Sequence, residues 1–163
     1  MSWAKRVDLA IEACNELKLP LKIAGSGKEE KRLRALAGPT IEFVGHPSDE
    51  ELEELYSRAR ALVFTALDED FGIVPVEAMG YGVPVIALSQ GGVLETVDDG
   101  KTGVYFSSPT KESLIQAIRD FNGMNRDWSR ACKARAKKFA PQIFRSRLRK
   151  FVESRYKEAR TGA

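Results

Sequence analysis

The chain has 163 residues, of which 43% are hydrophobic and 30% charged. That is the length of one ordinary domain and the composition of a soluble globular protein with enough apolar chain for a real core. No apolar run approaches the roughly 20 residues that span a bilayer, and the opening segment Met1–Arg6 lacks a signal-peptide core, which predicts a cytoplasmic protein.

Taken in order, Val7, Leu9, Ala10, Ile11, Ala13, Cys14 and Leu17 fall at helical spacing, and Pro20 ends that helix. Residues 21–24 read as a short strand, followed by Gly25-Ser26-Gly27 and a helical stretch over 29–36. A second strand covers 41–44 and closes on Gly45-His46-Pro47. Ser48-Asp49-Glu50-Glu51 is a capping box that starts a helix running to about Arg60, with Leu52, Leu55, Tyr56 and Ala59 inward. Ala61–Phe64 is an apolar strand. The stretch Asp68–Val85 after it holds an acidic loop, Gly72 and a short helix with Pro75 in its first turn, which Gly80 and Gly82 terminate.

Pro84–Leu88 is the next strand, and Gly91-Gly92 leads into a short helix over 93–97. A turn at 98–103, a last strand at 104–106 and a Thr110-capped helix through Phe121 follow. Two basic helices, about 126–138 and 142–159, complete the chain. Cys14 and Cys132 each sit in a helical pattern without metal-ligand spacing and read as reduced, buried small hydrophobes.

Strands that alternate with helices over short connections predict an α/β fold: a Rossmann-like parallel sheet with helices on both faces and right-handed crossovers. Ligands of such sheets sit beyond the carboxyl ends of the strands. Four glycine-bearing loops end there: Gly25–Gly27, Gly45–Pro47, Leu67–Gly72 and Ser89–Gly92. The helix starting near Gly72 offers unpaired amides to an anion, and Gly72 without a Cβ would let a bulky ligand approach the backbone. Glu69 before that helix and Glu77 upon it flank the amides with acceptors suited to sugar hydroxyls. The chain opens almost directly on a helix where a doubly wound domain begins with a strand. We therefore expect one domain over 1–163 whose first strand, and a whole preceding domain, lie outside this sequence.

With those loops in place, the chain resembles the C-terminal, nucleotide-sugar-binding domain of GT-B glycosyltransferases, specifically glycosyltransferase family four, over roughly residues 5–122. The most specific part is Glu69 to Glu77, set in Glu-Asp-Phe-Gly-Ile-Val-Pro-Val-Glu-Ala-Met. Supporting pieces are Lys5–Leu9, Gly25–Gly27, Phe43–Gly45, Gly80–Ala87 and Gly91–Val97. Asp70 departs from the glycine more usual in the family, and the arginine that usually precedes Lys5 falls upstream of Met1. The resemblance implies that Glu69 binds the donor sugar and Glu77 the ribose, and that the amides around Gly72, Ile73 and Val74 take the diphosphate. Lys5 stands at a phosphate-binding position, so Glu69 and Lys5 are the candidate catalytic pair. The Gly45–Pro47 loop would meet the base through backbone groups, with His46 either a base contact or a surface or capping residue, and Gly91 and Gly92 would shape a loop near the diphosphate. Ser26 is either a phosphate donor or part of a tight turn.

The resemblance further implies transfer with retention of configuration, no metal and no other cofactor, and an acceptor site in the other domain. It leans toward a mannosyltransferase using GDP-mannose; glucosyl transfer from UDP- or ADP-glucose, or a non-catalytic nucleotide-binding scaffold, are the alternatives. Asp68-Glu69-Asp70 formally matches an Asp-x-Asp metal motif of another fold, but the Phe-Gly and helical glutamate after it argue against that reading. His46 is the single histidine, so no Ser-His-Asp or multi-histidine site can be assembled. Residues 126–160 carry 13 basic and 3 acidic residues, a net of +10 against −7 for the rest. In 142–160 the residues Ile143, Phe144, Leu148, Phe151, Val152 and Tyr156 make an apolar stripe. It is read first as core packing against this or another domain, then as a peripheral contact with anionic lipid. Nucleic acid is not expected as a partner.

Overall fold

A computed structural model describes residues 1–161. After a single 3-10 turn at Trp3–Lys5, the first helix, α1, spans Val7–Leu17. It is entered through Arg6 and left through Lys18, both in the left-handed region (φ 44° and 53°). β1 (Leu21–Ala24), α2 (Glu30–Leu36), β2 (Ile41–Gly45) and α3 (Asp49–Arg58) follow. The expected capping box is present: the Glu51 amide donates to Ser48 Oγ at 3.2 Å, and the Ser48 amide donates to Glu51 Oε2 at 2.8 Å. The helix stops two residues short of Arg60, because Ala59 is already extended.

β3 (Leu62–Phe64), α4 (Ile73–Tyr81), β4 (Val85–Leu88), α5 (Val93–Thr96), β5 (Gly103–Phe106) and α6 (Lys111–Gly123) form the second half. α7 (Ser129–Lys137) begins three residues later than the expected 126, after a stretch in which Trp128 stacks on Phe121 with ring centroids 5.5 Å apart. α8 covers Pro141–Thr161.

All strand pairs are parallel, as the alternation predicts, but the ladder is divided. β1 pairs with β2, and β3, β4 and β5 form a separate three-stranded sheet with β4 central. Among the described residues no ladder joins β1 to β3. Instead the chain start lies between their carboxyl ends. The Leu67 amide donates to the Ala4 carbonyl at 2.8 Å, the Thr65 hydroxyl donates to the Lys5 carbonyl at 2.8 Å, and the Met1 amino group donates to the Ser26 carbonyl. The single expected sheet is thus divided into two, with residues 1–5 at the junction, where Trp3–Lys5 form the 3-10 turn.

Every residue of β4 is buried, as a strand covered on both faces must be. α1 and α6 pack on each other and α6 reaches β4 and β5, whereas α4 packs on β3, β4 and α7. The main core joins both layers: Leu9 and Ala13 of α1, Leu114 and Ile118 of α6, Met79 of α4 and Cys132 of α7 all contribute. Ile11 faces the other way, into a smaller cluster with Ile23 and Leu33 under the two-stranded sheet. Cys14 and Cys132 are free and buried, and burial pushes each thiol up to about 11. Both are therefore poor nucleophiles.

α8 does not pack into this core. Its described side chains are exposed, Phe144 at 63% and Phe151 at 59% among them. The expectation of core packing for the 142–160 stripe does not hold for this domain. Spacing reports that residues share a face, not that a partner lies opposite.

The β4–β5 seam leaves no room for a side chain at Gly103, where a Cβ would come within 2.0 Å of the Val85 carbonyl oxygen. Gly103→Ala is expected to destabilise the fold by about 1–3 kcal/mol or more through forced separation of the strands, read as a lower urea midpoint at unchanged slope.

Candidate donor site

The acidic loop leaves β3 at Thr65 and turns through Asp68, a non-glycine residue in the left-handed region at φ 50°. Asp68 Oδ1 accepts a hydrogen bond from Gln90 Nε2 at 2.6 Å. The loop enters α4 through Gly72, whose φ of 77° is the reason for glycine there. This corrects the reading that Gly72 leaves an open approach for a ligand. Gly72 is buried, and a Cβ there would face the Pro75 side chain at 3.4 Å and Val93 at 3.7 Å. No side chain caps α4. The amides of Ile73 and Val74 therefore have no partner within the helix or from a cap, while the two side chains lie exposed on the surface. The positive end of the helix dipole opens at the same point.

Gly91 and Gly92 lie in close backbone contact with the acidic loop. A Cβ on Gly91 would meet the Glu69 carbonyl at 2.6 Å, and one on Gly92 would meet the Asp70 carbonyl at 2.4 Å. The Gly92 amide donates to the Glu69 carbonyl at 2.8 Å. The two glycines thus brace the acidic loop from behind, backbone against backbone.

Lys5 and Glu69, 64 residues apart, meet: Lys5 Nζ donates to Glu69 Oε2 in an ion pair with side chains 48% and 28% exposed. On the neighbouring sheet, Ser26 Oγ and His46 Nε2 lie 2.6 Å apart, which joins the loops after β1 and β2. The Gly25 amide donates to the Gly45 carbonyl at 2.5 Å and extends that junction. Gly27 is closed off, because a Cβ there would strike the Met1 backbone. All the singled-out residues other than Glu77 therefore line or brace the carboxyl edges of the strands.

Glu77 sits on the second turn of α4, and its Oε2 accepts a hydrogen bond from the Tyr56 hydroxyl at 3.1 Å. Tyr56 is buried and stacks on Tyr81 with ring centroids 5.1 Å apart. Burial, and then the Glu77 carboxylate, hold the Tyr56 hydroxyl well above the usual tyrosine range, so it stays a donor. Sequence reasoning placed Tyr56 on the inner face of its helix and did not connect it to Glu77. The available signal was that a buried tyrosine hydroxyl needs a partner. Among the described residues no three His, Cys, Asp or Glu groups converge as a metal set.

The family described as Glycosyl transferases group 1 matches residues 1–139. The human alpha-1,3/1,6-mannosyltransferase ALG2 is 34% identical over 119 residues, which cover 71% of this chain and 28% of that protein. The corresponding protein of Neurospora crassa is 55% identical over 77 residues, 46% of this chain and 16% of its own length. This chain thus spans well under half of these relatives. Among solved structures, sucrose-phosphate synthase from Thermosynechococcus elongatus superposes with a TM-score of 0.84 at 24% identity, over 95% of this chain and 43% of that one. The pneumococcal O-GlcNAc transferase GtfA, in complex with UDP and GlcNAc, superposes at 0.79 with 26% identity, over 94% and 34%. Anabaena HepE in complex with UDP-glucose superposes at 0.79 with 22% identity, over 94% and 46%. The parallel α/β architecture, the Glu69–Glu77 motif and the match over 1–139 together place this chain in the glycosyl transferases group 1 family, with a GT-B glycosyltransferase fold.

Proposed function

We propose that this chain is the donor-binding part of a retaining glycosyltransferase that moves a hexose, mannose from GDP-mannose, to an acceptor hydroxyl held by another domain. The observation that carries the reading is the meeting of Lys5 and Glu69 beside the uncapped start of α4. A cation and free amides there suit a diphosphate, and an adjacent carboxylate suits sugar hydroxyls. The ALG2 relatives support mannose. The solved HepE complex with UDP-glucose makes UDP-glucose the competing donor.

In the proposed mechanism the α4 amides and Lys5 stabilise charge that develops on the leaving diphosphate, and Glu69 orients the sugar. No metal is required in this scheme, because the cation and the helix dipole carry the electrostatic load. Glu77, aligned by Tyr56, binds the ribose. The loops carrying His46 and Ser26 face the nucleotide. Alone, the 163-residue chain binds donor weakly and transfers little, since the acceptor is positioned elsewhere.

A second element of the proposal is peripheral contact with the cytoplasmic membrane face. α8 carries seven basic and two acidic residues and exposes Phe144, Phe151 and Val152. Among the described residues no helix is long and apolar enough to cross a membrane. A basic helix with an exposed apolar side suits an anionic lipid surface, where each Lys or Arg adds about 1 kcal/mol.

Titration with GDP-mannose, UDP-glucose and ADP-glucose, followed by amide NMR shifts, is expected to move the resonances of Gly72–Glu77, most strongly with GDP-mannose. Silence there with all three ligands refutes the donor site. Tyr56→Phe is expected to weaken nucleotide binding about three- to tenfold, by releasing one hydrogen bond to a charged group, with the far-ultraviolet circular dichroism unchanged. Co-sedimentation with vesicles containing phosphatidylserine is expected for the full chain. It should be lost when residues 142–160 are removed or salt is raised to 1 M, where the Debye length falls to about 3 Å.

A further inference from the structure

The Lys5–Glu69 ion pair engages two groups that the donor-site reading assigns to different parts of one ligand. Their backbones are held independently. The Lys5 carbonyl accepts from the Thr65 hydroxyl at 2.8 Å, and the Glu69 carbonyl accepts from the Gly92 amide at 2.8 Å. Either partner can therefore leave the pair by side-chain rotation alone, with the loops staying in place. Both side chains are open to solvent, at 48% and 28% exposure, which marks a weak and exchangeable pair.

We infer that this pair is a specificity device: Lys5, paired with Glu69, masks it, and an incoming diphosphate unmasks it by taking the ammonium. The inference rests on the donor-site reading above. A diphosphate brings more than one negative charge and is received at the same time by the α4 amides, so it competes well for Lys5. A free hexose brings no anion. To reach Glu69 it would replace a charge-assisted bond with neutral hydroxyls, so it is disfavoured. A nucleoside diphosphate without sugar takes Lys5 but leaves Glu69 with no partner, and it binds against that loss. Only a sugar linked to a diphosphate satisfies both groups. Lys5 is thus a specificity-determining residue for the sugar as well as a phosphate ligand.

The test is calorimetric titration of the full chain with GDP, UDP, GDP-mannose and mannose. Wild type is expected to bind GDP-mannose more tightly than GDP and to ignore mannose. Glu69→Gln, which removes the competing charge, should tighten GDP about two- to fivefold and erase the advantage of GDP-mannose over GDP. In a Lys5→Met background the same Glu69→Gln change should leave GDP affinity unmoved. Tightening of equal size with and without Lys5 would mean a plain field effect of the carboxylate and overturns the inference, as does a GDP affinity that Glu69→Gln leaves unchanged or lowers. If wild type binds neither GDP nor UDP, the donor-site reading falls and the coupling falls with it.

Discussion

The site depends on a place where backbone touches backbone. Gly91 and Gly92 lie so close behind residues 69–71 that any side chain would collide with carbonyl oxygens or a Cα. That contact fixes the Glu69 carbonyl, and through it the path of the loop into α4. Three further features follow from a fixed path. Asp68 is held in a left-handed conformation that a free loop would relax. The first turn of α4 starts at Gly72 without a cap. Glu69 is placed where a lysine from the start of the chain can reach it. A rigid rear support and an open front suit a loop that must present charge without itself rearranging.

The two carboxylates of the motif are set up differently. Glu69 is paired with a cation on a flexible stem, so its partner is exchangeable. Glu77 is held by a buried phenol stacked on a second ring, so its partner stays. One is arranged to change partners and the other to keep its orientation. That contrast suits a ligand whose ribose is common to many donors while its sugar must be discriminated.

Much of this was readable from residues alone. The Ser48–Glu51 box, the alternation of strands with helices, the glycine loops and the Glu69–Glu77 spacing all rest on local chemistry, which a short window contains. The division of the sheet between β1 and β3 was not readable, because pairing depends on which strands lie side by side, not on the character of each one. The tyrosine behind Glu77 was missed for the same reason: 21 residues separate them, and only packing brings them together. Gly72 was read as an opening for a ligand, whereas it is buried and its positive φ is what asks for glycine. The stripe on α8 had the right period and no surface here to meet.

α7 marks where this domain can be cut. Cys132 is fully buried in the main core, and Arg135 gathers the carbonyls of Glu95 and Thr96 with hydrogen bonds of 2.6 and 2.9 Å, closing the short helix that follows the two glycines. Phe139 meets Phe71 of the acidic loop edge-on, with ring centroids 5.7 Å apart. The family match ends at that same residue. A boundary drawn after Ala140 would keep every one of these ties, whereas one drawn before Ser129 would sever all of them. The ties that brace the acidic loop from α7 therefore close on Phe139, and a cut after Ala140 that removes α8 would break none of them.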